Sequence, residues 1–541
     1  MPKAVELLRQ RRNEELWQMC CGFLNFSLEQ FMAVQKRLLL EQIRLLSRSA
    51  LGKKLLNGPR PETVEEFRRR VPLTTYADYC PELLEKREET LPVKPALWVR
   101  TSGRSGEYPC KWVPITPTYA HEMSVIMYGI GMLAGCKKWG DVKALPKYPN
   151  IIYTVAPRPY VSGAMASMLG LQTSVNYLPS MRLAERLSFE GRVRLGFKQA
   201  LSQGFGYFFG LSMVLVTVGN KFRQSSNKVN IRPLLSQPRA LLRLSKGLAR
   251  SRLARRPMLP RDLWSIKGII SSGLDSAVYR DRIKELWGRY PLDVYSSSEG
   301  GFIATQTWGG EGMTFFPSLN FLEFIPEEEH FKLKLDPGYQ PKTLLLDEVK
   351  AGENYEIVIT NFHGGALVRY RIGDMIKIIS LRNEKLGIDL PQMVFERRAG
   401  DLLDFGVTRL TEKTIWQAIE NTGIPYEDWV AHKEIDENMI LHIYIELKDG
   451  IDNEADLAVS VKEQITRLDS SFASFHGDFG GCIDFGVKVT LLPKGTFANY
   501  TAQRQAEGAD LAHLKPPHIN PPEEMLAHLL GRPAAEAVAA G

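Results

Sequence analysis

Tyr370-Arg371-Ile372-Gly373-Asp374 is the stretch that decides how this chain reads. It follows an apolar run of β type, Tyr355-Glu356-Ile357-Val358-Ile359-Thr360, and a glycine turn. That order predicts an aspartate at the end of a strand, where one carboxylate accepts two hydrogen bonds from a ribose diol. Two segments upstream suit the same ligand. The turn Thr101-Ser102-Gly103-Arg104-Ser105-Gly106 has glycines that let backbone amides approach a phosphate, and hydroxyls that add donors. Tyr295-Ser296-Ser297-Ser298-Glu299 closes another run of β type, with a ring to stack a base, a hydroxyl for an α-phosphate and a carboxylate for Mg²⁺. Each segment alone reads as a loop or a serine-capped strand end. Together, and joined by Arg398-Ala399-Gly400-Asp401-Leu402-Leu403 with Gly406 and Glu412 beyond, they describe a nucleotide site.

Composition narrows the class. The chain has 541 residues, 24% charged, too many for one ordinary core, so a large domain and at least one smaller one are expected. The six cysteines lack paired metal-ligand spacing and the density of a disulfide framework, so they read as free thiols of a cytoplasmic protein. The start has early acidic residues and no apolar signal segment. Residues 205–219 are the most apolar stretch, but they are too short to span a bilayer and are interrupted by Gly206 and Gly210. A buried helix or strand pair is predicted there. Between Gly191 and Arg261 there is no Asp or Glu, while arginines cluster from Arg239 onward. No aromatic residues interleave them as single-strand binding requires, so this reads as a solvated helical face and not a nucleic-acid site. The nine histidines lack metal-ligand spacing, so they are expected to form no metal site and read as structural or surface residues. The turn at residue 101 lacks the Gly-Lys-Ser/Thr of a P-loop, and no Gly-x-Ser-x-Gly elbow marks a serine hydrolase.

Periodicity supplies the organisation. Residues 24–55 repeat apolar side chains at helical spacing and predict one long amphipathic helix. From about residue 97 to residue 396, β-type runs alternate with helical stretches such as 277–287, which argues an α/β architecture. Beyond it, a helix (412–421), a strand (439–447), a helix (454–469) and a strand (487–492) predict a compact α+β domain. The expected division is 1–396, 397–532 and a frayed tail, 533–541.

The motifs resemble those of the adenylate-forming superfamily, and more closely those of the auxin-responsive-promoter family of acyl acid amido synthetases. Residues 101–105 are similar to that family's Ser-Ser-Gly-Thr-Ser, 295–299 to Tyr-x-Ser-Ser-Glu, and 370–374 to Tyr-Arg-x-Gly-Asp. The likeness extends to residues 316–326, to 352–360, to Lys494-Gly495-Thr496-Phe497 and to Gly508-Ala509-Asp510-Leu511 with Lys515. One departure is Arg104, which stands where the family's motif has threonine.

The resemblance implies a large α/β adenylation domain and a small mobile α+β domain. It implies a two-step ligase as well. A carboxylate attacks the α-phosphorus of Mg·ATP and pyrophosphate leaves; an amine, expected to be an amino acid, then displaces AMP. On that reading Thr101, Ser102, Gly103 and Ser105 cradle phosphate, with Lys111 as an accessory cation; Arg104, the departure, either binds the departing pyrophosphate or replaces a hydroxyl contact and slows the reaction. Tyr295 lies against adenine, Ser298 on the α-phosphate and Glu299 at Mg²⁺. Asp374 holds the ribose, Arg398 acts at the hinge, and Lys515 reaches the reacting carboxylate. Gly273 is counted with the nucleotide site, and its segment, with residues 160–222, with the acyl pocket. The alternatives are an acyl-CoA ligase sharing the adenylation step and an inactive nucleotide-binding relative.

Overall fold

The computed structural model describes residues 2–101, 110–142, 148–225, 237–271, 276–336, 338–398, 402–405, 409–435, 439–448, 453–469, 472, 485–506 and 518–531. The chain divides into two compact units, Met1–Ala399 and Gly400–Gly541.

An eleven-stranded mixed sheet organises the first unit. At one end Asn320–Pro326, Asn354–Asn361, Tyr370–Ser380, Gln392–Arg398, Met313–Phe315, Gly301–Thr305 and Leu292–Ser297 run antiparallel to their neighbours. The sheet continues in parallel through Gly268–Ser271, Tyr207–Gly210, Asn150–Tyr153 and Asn176–Leu178. Helices connect the parallel strands, as parallel pairing demands. The apolar stretch at 205–219 resolves into the buried strand Tyr207–Gly210 followed by the start of the helix Ser212–Ser225.

The predicted helix over residues 24–55 is two helices, Leu28–Leu46 and Ala50–Leu56. Ser27 opens the first with a reciprocal cap, its hydroxyl accepting from the Gln30 amide while the Gln30 side chain accepts from the Ser27 amide. Ser49 caps the second by accepting from the Gly52 amide. A Cβ at Gly52 would lie 2.1 Å from the Leu46 carbonyl oxygen, so only glycine lets the chain restart this close to the first helix's end. Two buried polar residues on the apolar face of Leu28–Leu46 dock it. Gln35 donates to the carbonyls of Pro317 and Asn320 and accepts from the Leu322 amide; Gln42 donates to the Gly365 carbonyl and accepts from the Gly364 amide.

The arginine-rich segment forms the helix Pro238–Leu253 and the turn after it. Several of its cations have structural partners. Arg243 donates to the carbonyls of Ala200 and Leu201, Arg250 to that of Asp262, and Arg256 holds the Asp262 carboxylate through two bonds of 2.8 Å. Among the described residues no helix is long and apolar enough to cross a membrane.

The second unit contains a three-stranded sheet with Met439–Leu447 in the centre, antiparallel to Tyr426–Ile435 and parallel to Phe485–Leu492. Val430, Tyr444 and Leu492 on one face pack with Phe497, Met525, Leu526 and Leu529, which come from the helices Thr496–Ala506 and Glu523–Leu529. The edge strand Tyr426–Ile435 was not among the expected elements, because its polar residues hide the alternation that marks a half-buried strand.

Candidate active site

The first unit brings the second and third motifs together. Tyr295, in the strand Leu292–Ser297, donates its phenolic hydrogen to Asp374 Oδ2 over 2.7 Å, and both residues are buried. The Tyr295 ring also packs on Phe395, with ring centres 6.0 Å apart. A hydrogen bond to a buried charged group contributes about 1.5–3 kcal/mol, so this one fixes the carboxylate firmly.

Asp374 is not at a strand end. It lies within Tyr370–Ser380, where Met375 pairs with Glu356 and Arg371 with Val358, so Ile372, Gly373 and Asp374 together face Ile357 alone. This bulge runs through Gly373 at φ 78°, a left-handed value that suits glycine. The expected glycine turn is present before the motif, at His363 and Gly364, and the bulge at Gly373 is a separate feature that places Asp374 in mid-strand.

Glu299 follows the Leu292–Ser297 strand in a turn that the surrounding residues hold closely. The Gly300 amide donates to Ser297 Oγ, Asn320 donates to the Gly300 carbonyl, and Asn361 donates to the Glu299 carbonyl. Lys111 Nζ stands 3.6 Å from Glu299 Oε1 and donates to the Tyr370 hydroxyl over 2.8 Å. Burial, and then the neighbouring Glu299 charge, push the Tyr370 phenol well above its ordinary value, so it stays protonated. Lys111 was expected as an accessory cation of the phosphate loop. The structure gives it a carboxylate partner 188 residues away in sequence, which no local pattern signals.

Thr101 and Lys111 are joined by two hydrogen bonds. The Thr101 amide donates to the Lys111 carbonyl at 3.0 Å, and the Lys111 amide to Thr101 Oγ1 at 3.1 Å. Ser298 is partly buried beside Glu299. Arg398 is the register partner of Asp374 across the strand pair. Ser102, Gly103, Arg104, Ser105, Gly273 and Lys515 lie outside the described residues.

A further group that the sequence did not single out stands on the same strand. Arg371 donates to both oxygens of Glu356, and His330 Nδ1 lies 2.6 Å from Glu356 Oε2. Glu356 is fully buried; burial raises its pKa, but the bonds from His330 and Arg371 prevail and hold it below the ordinary carboxylate value. The motif arginine thus anchors the strand that carries Asp374.

In the second unit, the described chain resumes three residues after Lys515, at His518. Its ring lies 2.6 Å from Glu412 and 2.8 Å from Asp428, one carboxylate at each nitrogen, and stacks on Trp429. Burial favours the neutral ring, yet the two carboxylates outweigh it and raise the His518 pKa. A pKa raised on folding stabilises fully below the unfolded value, about 6.5, and the contribution is lost as pH rises through the folded value. The melting temperature of the full chain should therefore fall more steeply from about pH 6 to about pH 9 than that of His518→Gln. Parallel slopes for the two proteins would remove His518 as the cause.

With this geometry in hand, residues 21–149 match the GH3 family N-terminal domain and residues 313–398 the GH3 family central domain. Over these two stretches the chain is similar to the GH3 family. These matched stretches contain Thr101, Lys111, Tyr370 and Asp374. Among GH3 relatives, the chain is 29% identical over 275 residues to a jasmonoyl–L-amino acid synthetase of Nicotiana attenuata, 48% of this chain and 44% of that one. It is 26% identical over 151 residues to a 4-substituted benzoates–glutamate ligase of Arabidopsis thaliana, 26% of this chain and 24% of that one. The chain thus spans half or less of the length of the curated relatives it matches. In fold it is similar to a GH3.15 acyl acid amido synthetase solved with 2,4-DB (TM-score 0.50, 16% identity, 93% of each chain). It is also similar to a 2-hydroxyisobutyryl-CoA ligase in its thioesterification state (TM-score 0.53, 14% identity, 90% of this chain and 94% of that one).

Proposed function

We propose that this chain is an ATP-dependent acyl acid amido synthetase that makes an acyl adenylate and then passes the acyl group to an amine, an amino acid by the family's example. The observation that carries this reading is the Tyr295–Asp374 hydrogen bond, which joins two motifs 79 residues apart at one buried carboxylate. The names of GH3 relatives support the second half, since jasmonoyl– and indole-3-acetic acid–amido synthetases join an acyl acid to an amine.

In this proposal a carboxylate oxygen attacks the α-phosphorus, the α–β bridging oxygen leaves with pyrophosphate, and the amine nitrogen later displaces AMP from the acyl carbon. Hydroxide leaves poorly and AMP leaves well, so the protein's work is positioning and charge stabilisation. Asp374 accepts the ribose hydroxyls while Tyr295 holds it still. Thr101 and the residues that follow it face phosphate, with Arg104 beside the departing pyrophosphate. Glu299, a carboxylate with a hard oxygen donor, suits Mg²⁺, which would supply charge neutralisation on the phosphates. Lys111 and Tyr370 orient that carboxylate. The second unit contributes Lys515 and turns about Arg398 between half-reactions. We read the protein as cytoplasmic, with small-molecule partners and no nucleic acid.

The test is ATP–pyrophosphate exchange across aryl, indolyl and fatty acids, followed by mass analysis of the product formed with amino acids or with CoA. Acid-dependent exchange and an amide product are expected. Exchange with a thioester product moves the chain to the CoA ligases, and absence of exchange with every acid overturns adenylation.

A further inference from the structure

His432, Glu434 and His442 converge on the sheet of the second unit, away from every motif residue in sequence. His432 and His442 are direct cross-strand partners in the antiparallel pair, and Glu434 lies two residues beyond His432, on the same face by the two-residue strand period. His432 Nε2 is 3.1 Å and His442 Nδ1 2.5 Å from the same oxygen, Glu434 Oε1, and all three ligand atoms lie within 4.8 Å of one another. We propose that these three residues bind one divalent transition-metal ion of the zinc class.

The donor set fits such an ion. Two imidazoles and one carboxylate are the ligand types zinc takes, and they leave a fourth tetrahedral position for water; Mg²⁺ and Ca²⁺ prefer oxygen throughout.

A second feature supports the site. His442 Nε2 lies 2.8 Å from Thr490 Oγ1, on the next strand. Without metal, Glu434 accepts hydrogens from both rings and Thr490 donates to His442 Nε2. With metal, the His442 proton moves to Nε2, Thr490 accepts it, and the Nδ1 lone pair faces the ion. A metal-ligating histidine is commonly held at its other nitrogen in this way. Among the described residues the competing cation is Lys488, whose Nζ is 3.9 Å from Glu434 Oε2. Its side chain is 55% exposed, so it can turn to solvent at little cost.

The sequence hid the site because residues 432 and 442 match no local zinc spacing; the strand pairing makes them neighbours. The experiment uses the full chain, stripped with a chelator that is then removed, and titrated with Zn²⁺ against a chromophoric competitor. One equivalent per chain is expected, together with a higher melting temperature and, with Co²⁺ instead, visible d–d bands of a tetrahedral site. His432→Asn and Glu434→Gln, both partly exposed and so tolerable to the fold, should each lose binding and the Co²⁺ bands. Thr490→Val should weaken affinity by roughly tenfold, and Lys488→Met should strengthen it. Wild-type binding no tighter than that of His432→Asn overturns the proposal. So does binding that survives in both ligand variants, which would place the ion elsewhere on the chain.

Discussion

Asp374→Asn slows acid-dependent pyrophosphate exchange by about tenfold to a few hundredfold, because a charge-assisted hydrogen bond to the ribose contributes about 1.5–3 kcal/mol and two are weakened at once. Asparagine is the informative substitution. It keeps the shape of the side chain and one carbonyl oxygen to accept from Tyr295, so the buried contact at 2.7 Å survives. What it loses is the charge and one acceptor, since an amide nitrogen cannot receive a hydroxyl hydrogen. The melting temperature should stay close to that of the parent while the apparent affinity for ATP falls. An unchanged exchange rate at low ATP would take Asp374 out of the nucleotide site. A rate loss matched by a large drop in melting temperature would assign the residue to the buried Tyr295 contact alone.

The fate of this aspartate shows what the sequence could and could not reveal. The run at 355–360 was legible because its apolar content matches a strand buried on both faces, and Asn354–Asn361 is buried at all but its first residue. The helix Glu454–Leu468 and the strand Met439–Leu447 were legible for the same reason, an unbroken period. Asp374 was placed at a strand end because the bulge through Gly373 is set by the neighbouring strands and leaves no local signal. The break after Leu46 was hidden because apolar spacing continues across it; the evidence for it is a capping serine and the close approach at Gly52. At the site, residue types were legible and partnerships were not. Lys111 was counted with phosphate, yet its neighbours Glu299 and Tyr370 come from distant segments. His330 and Glu356 carried no motif, although they hold the motif's arginine. Motif reading finds groups that face a ligand more readily than groups that hold those groups in place.

Lys515→Ala should lose at least about a hundredfold in pyrophosphate exchange, the scale of removing one preorganised donor from a developing charge. As the carboxylate attacks, negative charge gathers on the pentacoordinate phosphorus and on both reacting oxygens, and an ammonium there acts most strongly once water is excluded. The same variant, given a presynthesised acyl adenylate, should still form amide at close to the parent rate, because in the proposed cycle the second unit has turned by then and Lys515 no longer serves the reaction. The anchor at His518, three residues on, offers a control: its bonds to Glu412 and Asp428 do not involve Lys515, so the variant should retain the parent's melting temperature and its fall with pH. Equal loss in both half-reactions would refute the division of labour and make Lys515 a structural residue of the Pro516-Pro517 segment. Loss in neither would return it to the solvent as a charge in a proline-rich tail, and the adenylation step would then need its cation from Arg104 or Lys111 in the first unit.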